Sequence, residues 1–192
     1  MAIRSLKNGT FSRSLLIGNT AYDPPDFNHI STVTVGSGGT STITFSSIPS
    51  TYTDLQIIGI ARTDRAGTTT DTLFVKINSD NTNYYTHGLY GTGSSAGAYA
   101  DSGNPTYFSV AAGASVASNV FSSTVWELLD YSSTNKYKTI RVLHGYDDNS
   151  VGTIRLTSSL WASTSAVTSL TIQGTSSQNI AQYSAFSLYG IN

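Results

Sequence analysis

Chemistry needs particular side chains at particular spacings, and few of the 24 ionisable side chains in this 192-residue sequence (10 Lys and Arg, 11 Asp and Glu, 3 His) stand at such spacings. His144 and Asp147 are three residues apart, near enough for a base and the group that orients it. No serine in a Gly-x-Ser-x-Gly elbow accompanies them, and a triad is recognised by geometry, not composition. Glu127 and Asp130 could serve a glycosidase only if both faced one sugar. They are three apart on a predicted strand, so they point to opposite faces. Asp147 and Asp148 stand just before Asn149, where such residues stabilise a bend; a calcium site is the alternative. His29, His87 and His144 show no metal-ligand spacing, and cysteine is absent, which removes thiol chemistry and Cys-based zinc sites. Gly36-Ser37-Gly38-Gly39 and Gly91-Thr92-Gly93 lack the Lys-Ser/Thr and helix of a phosphate loop and are expected to be hairpin turns. Arg62 and Arg65 beside Asp64 are expected to form a local ion-pair turn, because no basic stripe interleaved with aromatics accompanies them. The residues therefore predict no catalytic, cofactor-binding or metal-binding set, and no enzyme.

The aromatics allow two uses. Twelve Tyr, seven Phe and two Trp could build stacking platforms for sugars, with Tyr84, Tyr85, Tyr90, Tyr99 and Tyr107 near one Gly-rich stretch. Tyr also suits a half-buried sheet and is enriched at protein interfaces, and core and interface roles are the expectation.

The elements that would position these residues are strands. Ser and Thr number 30 and 27, together 57 hydroxyls, while charged residues make up only 11%. Helix-favouring Glu occurs once, at Glu127, and strand-favouring Thr, Val, Ile and Tyr are plentiful. Period-2 segments punctuated by Gly/Ser/Thr turns predict an all-β, antiparallel sandwich of jelly-roll type with about ten strands and no helix. Ser31–Val35 and Thr40–Phe45 are expected to pair across the glycine turn. Leu55–Ile60 reads as a strand buried on both faces, and Gly91–Asn104 as the longest loop. No apolar run is long enough for a membrane span, and a formal charge of −1 provides no field to recruit nucleic acid or membrane.

Residues 1–30 differ from the body at 31–192. Arg4, Lys7 and Arg13 give the first 22 residues +3, which leaves 7 bases and 11 acids, or −4, for the rest. Phe11, Leu15, Leu16 and Ile17 have no place in a solvated tail, so the segment is expected to be an extended arm that docks on a neighbour.

Several phrases resemble a known group. Thr32–Gly39, Ile43–Leu55, the ending Phe186-Ser187-Leu188-Tyr189-Gly190-Ile191 and the opening stretch Ser12–Thr20 are similar to virion structural proteins of tailed bacteriophages, particularly cyanophages. The resemblance implies a β-sandwich displayed on the particle, with no family catalytic residues to carry over. It implies localisation to the capsid surface after synthesis in the host cytoplasm. The expected function is that of a capsid decoration (cement) protein whose partners are the major capsid protein, bound through the arm, and further copies of itself, in a trimer at local threefold positions. No nucleic acid, membrane or cofactor is expected. A tail-fibre or knob component binding host-surface glycan is the alternative. A depolymerase is disfavoured by the want of paired carboxylates on one face.

Overall fold

The computed structural model describes residues 15–17, 20–22, 27–103, 106–149, 151–175 and 178–192, with side chains described from residue 27 onward except at 106 and 107. Fourteen strands and no helix occur among them: β1 (Leu15–Ile17), β2 (Thr20–Tyr22), β3 (Phe27–Thr34), β4 (Thr42–Phe45), β5 (Asp54–Ala61), β6 (Thr70–Ile77), β7 (Tyr84–Gly91), β8 (Ala96–Ser102), β9 (Thr106–Ala112), β10 (Ser122–Leu129), β11 (Lys138–Asp147), β12 (Gly152–Trp161), β13 (Leu170–Gly174) and β14 (Ala185–Ile191). A large antiparallel sheet runs in the order β3-β14-β5-β10-β11-β12-β7-β8, and a small one in the order β4-β13-β6-β9. The two form the predicted sandwich.

Alternation builds the core. In β6 every second residue is buried, so Leu73, Val75 and Ile77 face inward together, and β5 contributes Leu55 and Ile57 by the same rule. Trp126, Leu128, Ile140, Val142, Phe186 and Leu188 project from the large sheet, and Phe108, Leu170 and Ile172 from the small one, all into a single cluster. The rings of Phe108 lie 6.2 Å from Trp126 and 5.7 Å from Phe186 in tilted contacts. Each such side chain contributes about 1.5–3 kcal/mol on burial.

Four expectations are corrected. The glycine run at 36–39 is a turn, with Gly38 and Gly39 at φ +87° and +72°, but it does not close a hairpin. The chain leaves β3, which pairs with β14 in the large sheet, and enters β4, which pairs with β13 in the small one. A run of small residues lets the backbone turn the corner between sheets. Secondly, Gly91–Asn104 is not one long loop: it contains β8, an edge strand in register with β7. The third correction is to β5, which is buried on one face only, since Ile58 and Ile60 are 43% and 46% exposed. Lastly, the sandwich begins ahead of Ser31, because β3 starts at Phe27.

Within the expected arm, β1 and β2 pair antiparallel. Arg4, Lys7, Phe11 and Arg13 lie outside the described residues, as do the side chains of Leu15, Leu16 and Ile17.

Candidate interaction surface

The ionisable residues singled out above do not converge. His144 and Asp147 both sit on β11, three apart, so His144 points into the sandwich and Asp147 away from it. The His144 ring accepts the Val110 N–H at Nδ1 (2.7 Å), and Nε2 lies 3.2 Å from Thr157 Oγ1. That hydroxyl is in turn 2.6 Å from the Tyr99 hydroxyl. Burial, with the Arg155 charge adding to it, pushes the His144 pKa down to about 4, so the ring is neutral at pH 7. His29 Nε2 bonds Thr32 Oγ1 at 2.7 Å, and His87 lies on an exposed sheet face. Asp147, Asp148 and Asn149 form the expected turn: the Asn149 N–H bonds Asp147 Oδ1 at 2.6 Å, and the Asp148 N–H bonds the Val151 carbonyl at 2.9 Å. Among the described residues no three His, Asp or Glu side chains group as metal ligands.

The Arg62–Arg65 turn is not the local ion pair expected from its spacing. Arg62 is buried and donates to the carbonyls of Val116, Ala117 and Val120 at 2.9, 2.8 and 3.1 Å, which pins the 116–120 loop. Arg65 pairs with buried Asp71 at 2.9 Å, while Asp64 receives the Asn179 N–H. Asp71 also accepts from Thr63, Gln178 and the Thr72 N–H. All of this is loop-locking.

The tyrosines do not form one platform. Tyr84 is buried in the core, Tyr85 lies on the outer face of the large sheet, and the side chain of Tyr107 lies outside the described residues. Tyr90 and Tyr99 flank Arg155, whose guanidinium carbon is 5.8 Å from each ring centroid.

What the strands do bring together is an apolar outer face. In the middle of the large sheet the ladders place Ile58 opposite Val125, Val125 opposite Leu143, Leu143 opposite Leu156, and Leu156 opposite Leu89. Five exposed aliphatic side chains thus form one unbroken row across five strands, ending at Ala98 on β8. A second row runs Ile60, Ser123, Gly145, Ile154 and Gly91. Gly145 and Gly91 line a hollow of about 650 Å³ there, together with Val125, Leu143, Ile154 and Asn149. On the other flank runs a polar row of Gln56, Glu127, Arg141, Ser158 and His87. In it Glu127 accepts from Arg141 at 2.9 Å and from Gln56 at 3.1 Å.

The usual polarity of a one-sided sheet is inverted along these strands. Ile154 and Leu156 are 62% and 56% exposed, whereas Thr153, Thr157 and Ser159 on the same strand are buried. Most of the inward hydroxyls are held by partners, as in Thr86 with Ser159 (2.9 Å), Thr124 to the Phe108 carbonyl (3.1 Å) and Ser122 to the Ala61 carbonyl (3.0 Å), while Thr153 Oγ1 is buried without one. Burial of a hydroxyl costs little once it is bonded. Alternation in the sequence separates the two faces of β12 correctly, but both hold apolar residues, with Trp161 opposing Ile154 and Leu156. Period alone therefore cannot choose the inner face. A contiguous apolar patch of this size marks a contact surface.

The chain matches no protein-family model, no curated protein and no solved structure.

Proposed function

We propose that this chain is a structural protein of a tailed-bacteriophage particle, a head decoration protein that binds the major capsid protein and stabilises the shell. The observation that carries the proposal is the aliphatic row Ile58–Val125–Leu143–Leu156–Leu89, an exposed apolar surface suited to lasting contact with protein and devoid of a nucleophile or proton donor. The sequence phrases that resemble virion proteins support it, as does a composition rich in Tyr and poor in charge. In this proposal the +3 arm at residues 1–22 anchors to the major capsid protein, with Phe11, Leu15, Leu16 and Ile17 as apolar contacts and main-chain bonding to a capsid strand. Arg4, Lys7 and Arg13 contribute on-rate and register. The sandwich meets further copies of itself, and the protein performs no catalysis.

The test mixes the protein with empty heads and follows occupancy and rupture temperature. The full chain is expected to decorate the heads and raise that temperature. Deletion of residues 1–22, or Leu15→Asp with Leu16→Asp, should leave the sandwich folded yet abolish decoration. Full occupancy by the deletion variant would refute the anchoring role. Binding to host cells with block of infection, and none to heads, would replace the proposal with a receptor-binding fibre or knob.

A further inference from the structure

We infer that the outer face of the large sheet is covered by the same face of a second copy, about a two-fold axis that runs along the strands between β10 and β11. The inference goes beyond the capsid proposal, because the pairing belongs to the isolated chain in solution. Three observations point to this occupant.

The first is area. Ile58, Ile60, Leu89, Val125, Leu143, Ile154 and Leu156 are each between 36% and 62% exposed on the outer face of the large sheet. Together they offer on the order of 600 Å² of surface, most of what one partner contributes to a standard interface of roughly 800 Å² a side. Sheets stack face to face at about 10 Å, so such a row can meet its own copy without rearrangement.

The second is charge. Within the three rows of the five central strands the acids and bases, apart from His87 at the far end of the polar row, are one Glu and one Arg, Glu127 on β10 and Arg141 on β11, directly opposite each other in the ladder. A two-fold between those strands sets each Glu127 over the Arg141 of the other copy, turning an ion pair into a closed group of four alternating charges. A face that bears one charge of each sign at positions exchanged by the axis is complementary to itself. A partner of different chemistry does not require that arrangement.

The third is register. The same axis brings Val125 onto Leu143, Ile58 onto Leu156, and Ile60 onto Ile154 of the second copy, so that the most exposed aliphatic residue of the face, Ile154, meets another aliphatic side chain, and the small Ser123 stands over Gly145. Contacts in which a patch meets itself are isologous and generate two-folds. The trimer expected from the resemblance would need a heterologous contact, and this face points to a dimer instead.

The experiment uses the full chain and sedimentation equilibrium. The wild type is expected to be a dimer. Glu127→Arg alone and Arg141→Glu alone should each dissociate roughly tenfold or more readily, because each places four like charges together. The two single variants mixed should re-form a heterodimer of near wild-type affinity, although within each copy the Glu127–Arg141 pair is still broken. That recovery separates contact between copies from contact within one. Both residues are on the sheet surface, so circular dichroism should show unchanged strand content. As a second probe, Leu143→Lys should give a folded monomer. A wild type that is monomeric or trimeric, a mixture of the single variants that stays monomeric, or a Leu143→Lys variant that still pairs would overturn the inference.

Discussion

Burial holds the His144 ring neutral, and that makes it a source of pH-dependent stability. Its folded pKa of about 4 lies below the ordinary histidine value of 6.5, so the unfolded chain binds the extra proton between those pH values. Stability is therefore fully present above pH 6.5 and falls as the pH drops toward 4, by about 3 kcal/mol in total. Urea denaturation midpoints measured across that window should decline for the wild type. They should decline less for His144→Asn, whose side-chain oxygen can still accept the Val110 N–H. Equal slopes in the two proteins would show that the ring does not titrate as described. Asp71 is the other residue on which much depends, since it gathers Thr63, Arg65, Gln178 and the Thr72 N–H in a site that is almost fully buried. Asp71→Ala should cost roughly 3 kcal/mol by orphaning buried donors, seen as a lower denaturation midpoint with the fold retained. At this scale the sequence was partly legible. The strand parity rule separates His144 from Asp147, but it does not reach Asp130, which lies past the end of β10 in a turn at φ +51° and not on the strand with Glu127 as expected. Nothing near Arg62 in the sequence announces that its partners are carbonyls at 116–120 or that Asp71 is the partner of Arg65.

The edge pair β7–β8 shows how a strand forms from residues that do not favour one. Ala96–Ser102 is built of Ala, Gly, Ser, Tyr and Asp, and a stretch of small residues reads as a loop. In the ladder Gly88 faces Tyr99 and Tyr90 faces Gly97, so each strand lays a ring across the bare backbone of the other. A Cβ on Gly88 would come within 2.2 Å of the Tyr99 ring. Cross-strand aromatics of this kind compensate for glycine in a sheet. Gly88→Ala should thus displace Tyr99 from the Thr157 hydroxyl and lower stability by about 1–3 kcal/mol. Made in a Tyr99→Ala background, the same change should cost much less, because the clash has gone. Thermal unfolding of the four proteins in a double-mutant cycle checks this, and strict additivity would sink it. The pairing was hidden from a reading along the chain, since it depends on two Gly-x-Tyr triplets, 88–90 and 97–99, meeting in antiparallel register. The same blindness to pairing made the 36–39 turn look like a hairpin, where local residues specify a bend but not which sheet receives the next strand.

For the molecule as a whole, the alternation of apolar and small polar residues sufficed to specify an all-β sandwich. The order of strands within each sheet is another matter, being set by contacts far apart in sequence. β14 illustrates this: it lies between β3 and β5, holding the first strand of the sandwich and the fifth strand of the chain together. It also supplies Phe186 and Leu188 to the core, with Phe186 lying over Gly59 of β5. Deletion of residues 185–192 should therefore abolish cooperative unfolding and not merely shave an edge; a sharp urea transition in the truncated protein would contradict that. The same placement governs how the protein is made. A ribosome delivers residues in order, at roughly 5–20 per second. Throughout that time β3 and β5 wait with unpaired main-chain groups, and the sheet cannot close until β14 has emerged. A nascent chain that stalls before residue 185 would expose two naked sheet margins at once, so synthesis through β14 is a condition for this fold to appear at all.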